Sequence, residues 1–207
     1  PGGLDVLALR ERHPEFAGFL EMGIEAAKGM DELVLAWAER ELPCTYHFLD
    51  VNLDEPEDFE PVWLAQVQHI LAHTRPAWMC GDVGLWHFGP RDRGHMLLLP
   101  PVLTAQSARE QAVGLRRLRE LSGLEVLPEN PPGSAYVGDL HLLEYYARLA
   151  EEADTGLLLD VAHLAIYQRV TGRDVFDGLD HLPLDRVVEM HVAGGVERDH
   201  AGFAWVE

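Results

Sequence analysis

The sequence predicts an α/β fold of the TIM-type (β/α) barrel class, shortened at its C-terminal end. Three observations point there. Strand-like and helix-like segments alternate at roughly 30-residue spacing, the rhythm of βαβ units. The first strand ends Glu21-Met-Gly-Ile-Glu25, with neither G-x-G-x-x-G nor a P-loop, so the signature of an open nucleotide-binding sheet is missing. Acids and histidines close several strands instead of one, the habit of a barrel that assembles its site from many strand ends.

In chain order, a first strand is expected over residues 16–25 and a helix over 31–41. A second strand runs over 44–53, and a helix follows over 61–74. Residues 77–82 form strand three, and the Gly- and Pro-rich stretch 85–101 reads as irregular. Thr104 is the N-cap of a long helix to about 121. Strand four covers 124–130 and its helix 139–153. Strand five covers 156–162, helical pieces follow to about 182, and strand six covers 187–193. Ala204-Trp-Val reads as the start of a seventh strand. A full barrel typically needs ~250 residues and eight strands. With 207 residues, the last one or two units are expected to be absent from this chain or supplied otherwise. Residues 1–207 are expected to form one domain.

Composition narrows the function classes. Apolar residues are 47% and charged residues 25%, as in a soluble globular protein. The net charge of −19 argues against a nucleic-acid backbone as partner. The one basic stripe, from Arg109 to Arg119, reads as the outer face of an amphipathic helix. No apolar run approaches the ~18 residues of a membrane span. The chain begins at Pro1 without a signal-peptide pattern, so its start reads as trimmed and its location as cytoplasmic. Cys44 and Cys80 make no disulfide framework. They read as buried structural thiols in a reducing compartment, with thiolate ligation the minority reading.

The chemistry-bearing residues cluster at strand ends. Leu157-Leu-Leu-Asp160-Val-Ala-His163 is a buried-strand run ending in two metal-binding groups, and an acid there is too costly to bury without a partner. On a strand the three-residue spacing puts Asp160 and His163 on opposite faces, so both reach one site only if the chain bends. His47 lies between Tyr46 and Phe48, where a satisfied core histidine competes with a ligand. Glu129-Asn130 closes strand four ahead of Pro131-Pro132-Gly133. Glu189 and His191, two apart, share a face of strand six, and His200 follows Asp199 in a Gly-flanked loop. Imidazole with carboxylate oxygen suits Fe, Mn or Zn, and the residues alone do not choose among them. The acidic stretch 50–61 reads as a solvated loop, lacking calcium-loop spacing. His69 and His73 read as helix surface, and His13, His87, His95, His141 and His181 show no partner pattern.

Taken together, these residues resemble the multinuclear non-heme iron-dependent oxidases, the family of the methanobactin biosynthesis oxidase. The resemblance spans Phe19-Leu-Glu-Met, Tyr46-His47, Leu98-Leu-Leu-Pro-Pro, Glu129-Asn130, Leu158-Leu-Asp160-Val and Val188-Glu-Met-His191-Val-Ala-Gly194. It implies a xylose isomerase-like barrel that binds two or three irons. It also implies dioxygen-dependent modification of cysteines in a ribosomally made peptide, with a partner protein helping to present the peptide. By resemblance, His47, Glu129, Asp160 and His191 are metal ligands, with Glu129 and Asp160 the catalytic pair. Asp82 and His163 are replacement or supporting groups, and Asp199 or His200 stands for a late Asp-x-His pair.

The chain departs from the family pattern in three places. Gly81-Asp82-Val83 replaces Ser-Glu-His, Ala162-His163 replaces Asn-Asn, and Gly195 replaces a closing His. Two other readings stand beside the iron oxidase. One is a divalent-metal sugar isomerase or epimerase using Mn or Zn, with Glu129 as base. The other is a degenerate binding protein of the same fold.

Overall fold

The computed structural model describes residues 5–89, 93, 97–200 and 203–206, and from residue 197 onward the backbone alone. Six parallel strands form one sheet in sequence order: β1 (Leu20–Ile24), β2 (Cys44–Phe48), β3 (Met79–Asp82), β4 (Val126–Glu129), β5 (Leu157–Asp160) and β6 (Val187–His191). Every consecutive pair is bridged by a segment containing a helix or helical turns, the right rhythm for parallel pairing. A capped helix, α1 (Val6–Arg12), precedes the sheet, and the sequence pattern did not reveal it. The connecting helices are α2 (Glu32–Glu39), α3 (Pro61–Thr74), α4 (Ala105–Ser122), α5 (Leu142–Ala153) and α6 (Val161–Thr171).

The helix boundaries follow from local chemistry. Pro61 opens α3, where its missing N–H costs nothing. Thr104 caps α4 by accepting from the Ser107 N–H, and Gly123 closes it at φ 72. The His141 side chain caps α5 by accepting from the Leu143 N–H. Asp160 caps α6 by accepting from the His163 N–H.

The strands alternate between two environments. Met22, Ile24, Tyr46, Phe48, Met79, Val126, Leu157 and Leu159 point outward into the main core, beneath Trp37 of α2, Trp63 and Ile70 of α3, Leu115 and Leu118 of α4, and Tyr145 and Leu149 of α5. Cys80, Leu127 and Leu158 point the other way and form a separate small cluster with Trp78. Strands buried on both faces are the mark of a sheet wrapped by helices.

The sheet is strongly curled. A flat sheet would hold β1 and β6 about 24 Å apart, five spacings of ~4.8 Å. Instead His191 of β6 lies 2.9 Å from Glu21 of β1, and Trp78, just before β3, donates to Glu189 of β6 at 2.7 Å. The result is a parallel half-barrel whose inward side chains converge.

Three expectations are corrected. The strand-five run ends at Asp160, and residues 161–163 already belong to α6, because the Asp160 carboxylate caps that helix. The Ala204-Trp-Val segment is a strand, β8 (Phe203–Val206), but it pairs antiparallel with β7 (Glu197–His200) instead of extending the parallel sheet. The acidic stretch after β2 is solvated only in part, at Asp54, Glu57 and Glu60. Asp50, Asn52 and Asp58 are buried together with Val51, Leu53 and Phe59. Asp50 accepts from the Ala26 N–H at 2.7 Å and from Trp63 Nε1 at 3.0 Å. Asp58 accepts from the Asn52 N–H at 2.7 Å and pairs with fully buried His87 at 2.8 Å. Backbone donors, the Trp63 indole and one imidazole offset the burial of these acids, so His87 anchors this loop instead of standing without a partner. His13, His69, His73 and His181 are exposed, whereas half-buried His141 caps α5 and donates to the Asp174 carbonyl, and His95 lies outside the described residues.

The loop also explains Gly114 of α4. A Cβ there would overlap the Leu53 carbonyl. Gly114→Ala should therefore destabilise the protein by about 1–3 kcal/mol despite the better helix propensity of Ala. Urea denaturation checks this, and an unchanged midpoint would contradict the packing described.

Candidate metal centre

Strand alternation places the inward side chains in two steps along each strand, and the stagger of the sheet sets members of the two steps side by side: His47 is in register with Cys80, and Glu129 with Leu158. In the upper step, Asp82 pairs across to Glu129 and Asp160 to His191, with His47 in the neighbouring strand opposite Gly23. In the step below, Glu21 pairs to Thr45, Cys80 to Leu127 and Leu158 to Glu189. The upper step sits at the C-terminal strand ends, where barrels carry their sites.

Glu129 is the hub. It is almost fully buried, and its two oxygens serve different partners. Oε2 accepts from His47 Nε2 at 2.8 Å, and Oε1 accepts from His191 Nδ1 at 3.0 Å. His163 Nδ1 lies 3.5 Å from the same Oε1. Asp82 Oδ2 stands 3.8 Å from His47 Nε2, and Asp160 Oδ2 stands 3.5 Å from His191 Nδ1. Two trios have ligand atoms all within 4.8 Å of one another: His47, Asp82 and Glu129, and Glu129, Asp160 and His163. Glu129 belongs to both, as a bridging carboxylate would.

The bend at Asp160 brings His163 into the site. As the N-cap of α6, Asp160 turns the chain from strand to helix, and residue 163 falls one helical turn on. Asp160 Oδ1 is occupied by the His163 N–H at 2.7 Å, which leaves Oδ2 facing the site. His163 Nδ1 donates to the Asn130 carbonyl at 2.8 Å. A carbonyl only accepts, so Nδ1 carries the proton and Nε2, 3.6 Å from Asp160 Oδ2, is the available ligand nitrogen. Asn130 clamps the framework from behind. Its amide donates to the Asp160 carbonyl and its oxygen accepts from the Asp160 N–H, both at 2.9 Å.

The electrostatics show what the cluster lacks. Burial and then the Glu129 charge push the Asp82 carboxyl well above its usual range. Burial opposes ionisation of Glu129 as well, yet hydrogen bonds from His191 and His47 hold it down at about 2. Burial opposes a charged His47, but the Glu129 hydrogen bond and the Asp82 charge outweigh it and push the imidazole up to about 9. Hydrogen bonds to Asp160, Glu129 and Glu21 push His191 up to about 12. Glu129 thus takes its balancing positive charge from protonated imidazoles, while Asp82 is pushed toward its neutral form. His47 Nδ1 and Asp82 Oδ1 are buried with no hydrogen-bond partner among the described residues. Imidazole and carboxylate donors, with unpartnered buried atoms among them, fit a divalent transition-metal ion.

Of the sequence-derived site residues, the structure brings together His47, Asp82, Glu129, Asp160, His163 and His191. His200 lies on β7, where its side chain is outside the described residues. Val83, where a histidine would fit the family pattern, is fully buried in the main core and offers no donor. Sequence reasoning missed Glu21 as a site residue. Its Oε2 accepts from His191 Nε2 at 2.9 Å, and its signal was the inward phase it shares with Gly23 on β1.

Metal ligation requires the imidazole nitrogens to be free of protons. At pH 7 His47 and His191, raised to about 9 and about 12, both hold theirs. Binding of a divalent cation should therefore release protons, and affinity should fall as pH falls. Calorimetry in buffers of different ionisation enthalpy reads the proton release, and a pH-independent affinity would contradict it.

Residues 6–205 match the family described as "RiPP precursor modification enzyme MbnB/TglH/ChrH". A UPF0276 protein from Anaeromyxobacter sp. is 27% identical over 173 residues, covering 82% of this chain and 60% of the relative. One from Acaryochloris marina is 29% identical over 167 residues, covering 78% and 58%. The chain thus spans about three fifths of the length of these two relatives. Among solved structures, the 3-keto-D-glucoside 4-epimerase YcjR from E. coli aligns with TM-score 0.53 and 16% identity over 93% of this chain and 75% of that one. A protein of the sugar phosphate isomerase/epimerase type from Anabaena variabilis aligns with TM-score 0.50 and 15% identity, over 89% and 65%. At such identities the likeness shows the fold alone.

Proposed function

The chain belongs to the MbnB/TglH/ChrH family of RiPP precursor modification enzymes, and on that premise we propose that it is a metal-dependent, iron-using oxidase acting on a cysteine-containing ribosomal peptide. The observation that carries the reading is the Glu129-centred ring, in which one buried carboxylate belongs to two candidate ligand trios. His47, Asp82, Glu129, Asp160, His163 and His191 would hold the metal. Iron, when bound, supplies one-electron chemistry with dioxygen and a Lewis-acid hold on a substrate thiolate.

The protein's own contribution is placement. Glu129 fixes His47 and His191 from its two oxygens. Asn130 locks the ends of β4 and β5, so Asp160 and His163 keep one orientation. His163 replaces an asparagine of the family pattern and supplies an imidazole where Val83 supplies none. His191 and His163 are the more exposed of the ring residues, with side chains 27% and 20% accessible, while Glu129 is 1% accessible. A substrate thiol therefore approaches from the His163–His191 side, over a floor that excludes water. The partner protein that helps present the peptide belongs to the same proposal, as does a cytoplasmic location. Among the described residues no helix is long and apolar enough to cross a membrane.

The test is metal content followed by turnover. Protein purified from iron-replete cells should carry iron, and His47→Ala and Glu129→Gln should lose most of it. With iron, dioxygen and a cysteine-bearing precursor peptide, the peptide mass should change only when oxygen is present. Zinc alone, or no metal at all, would overturn the proposal. Anaerobic, manganese-dependent turnover of a ketose would replace it with the isomerase reading.

A further inference from the structure

One inward step below the ring members of β3 and β6 lies a second group of donors, which meets the ring only where Glu21 Oε2 accepts from His191 Nε2. Glu21 of β1, Cys80 of β3 and Glu189 of β6 place one ligand atom each within 4.8 Å of one another. Cys80 and Glu189 each lie two residues before a ring member, one inward step or roughly 7 Å down the backbone of their strands, while Glu21 Oε2 adjoins the ring at 2.9 Å from His191 Nε2. Cys80 is fully buried, and its thiol donates to Glu21 Oε2 at 3.4 Å. Glu189 is buried too, and Trp78 Nε1 donates to its Oε2 at 2.7 Å.

An independent feature points to a ligand there. Thr45 is 1% exposed, and its Oγ1 has no hydrogen-bond partner among the described residues. Strand alternation turns Cys44 and Tyr46 into the main core. It therefore turns Thr45 inward, in register with Glu21. A buried hydroxyl left unpaired in register with Glu21 is the mark of a missing partner.

We propose that Glu21, Cys80 and Glu189, with Thr45 in register with Glu21, form a second metal pocket adjoining the ring, selective for a thiolate-tolerant transition ion of the zinc class. Two carboxylate oxygens and one sulfur suit zinc, cobalt or ferrous iron, whereas magnesium and calcium prefer oxygen alone. Binding exchanges the Cys80 thiol proton, released to solvent, for a metal–sulfur bond. The three ligands come from β1, β3 and β6, and β1 and β6 are the two edges of the sheet. The ion would tie those edges together and hold the curl. It does not depend on the ring's proposed chemistry.

Sulfur makes the test selective, because the ring contains no cysteine. Cobalt(II) added to the full chain, freed of metal by chelation, should give a near-ultraviolet sulfur-to-cobalt charge-transfer band. The band should survive His47→Ala and Cys44→Ser and vanish in Cys80→Ser. Glu189→Gln should raise the cobalt needed for half-development at least about tenfold. Cobalt bound with no such band, or a band that persists in Cys80→Ser, would overturn the proposal. If Cys80→Ser fails to fold, Glu189→Gln decides, and a wild-type titration in that variant also overturns it.

Discussion

The structure turns on one buried carboxylate. Glu129 cannot remain ionised in the interior without positive partners, and it has them on both oxygens, His47 on one side and His191 on the other. Those partners come from β2 and β6, so the pairing requires the sheet to curl until distant strands meet. Asp82 and Asp160 add two more acids to the same space. The protonated imidazoles balance the charge of Glu129, and a divalent cation would balance it with fewer protons and more fixed geometry.

The curl divides the chain's labour by strand phase. Outward residues build an apolar core with the helices, and inward residues are left to do chemistry. That division explains why so many ionisable groups are tolerated inside a domain of this size. They lie in two steps along the strands on one face of a framework whose stability comes from the other face. It also explains the role of Asn130, which pairs with the Asp160 backbone on both sides and joins β4 to β5 where their ladder is sparse. Pro128 supplies no N–H there, and only Glu129 and Leu158 are in register.

Much of this was legible in the sequence. Apolar runs ending in His, Asp or Glu gave the strands and most of the ring, and Thr104 marked the start of α4 through ordinary capping chemistry. The resemblance to the iron-dependent oxidases agrees with the family match, and the expected barrel appears as a parallel half-barrel. The failures have physical causes. The loop from Asp50 to Phe59 is acidic, which reads as solvated, but Asp50 and Asp58 are buried and satisfied by backbone N–H groups, the Trp63 indole and His87, 29 residues from Asp58 in sequence. Asp160 and His163 looked incompatible on a strand because the helix start between them depends on the Asp160 cap. Glu21 went unassigned because its partner is His191 at the far end of the chain, a contact that only the curl creates. Helix α1 buries no residue and so leaves no periodic signal.

The central claim is that Glu129 is shared between metal-binding trios on either side of it. Anomalous diffraction at the iron edge, on crystals of protein purified from iron-replete cells, tests it most directly. The account predicts iron peaks within coordination distance of Glu129, with His47, Asp82, Asp160, His163 or His191 as the other ligands. Iron bound elsewhere, with Glu129 still hydrogen-bonded only to His47 and His191, would contradict it.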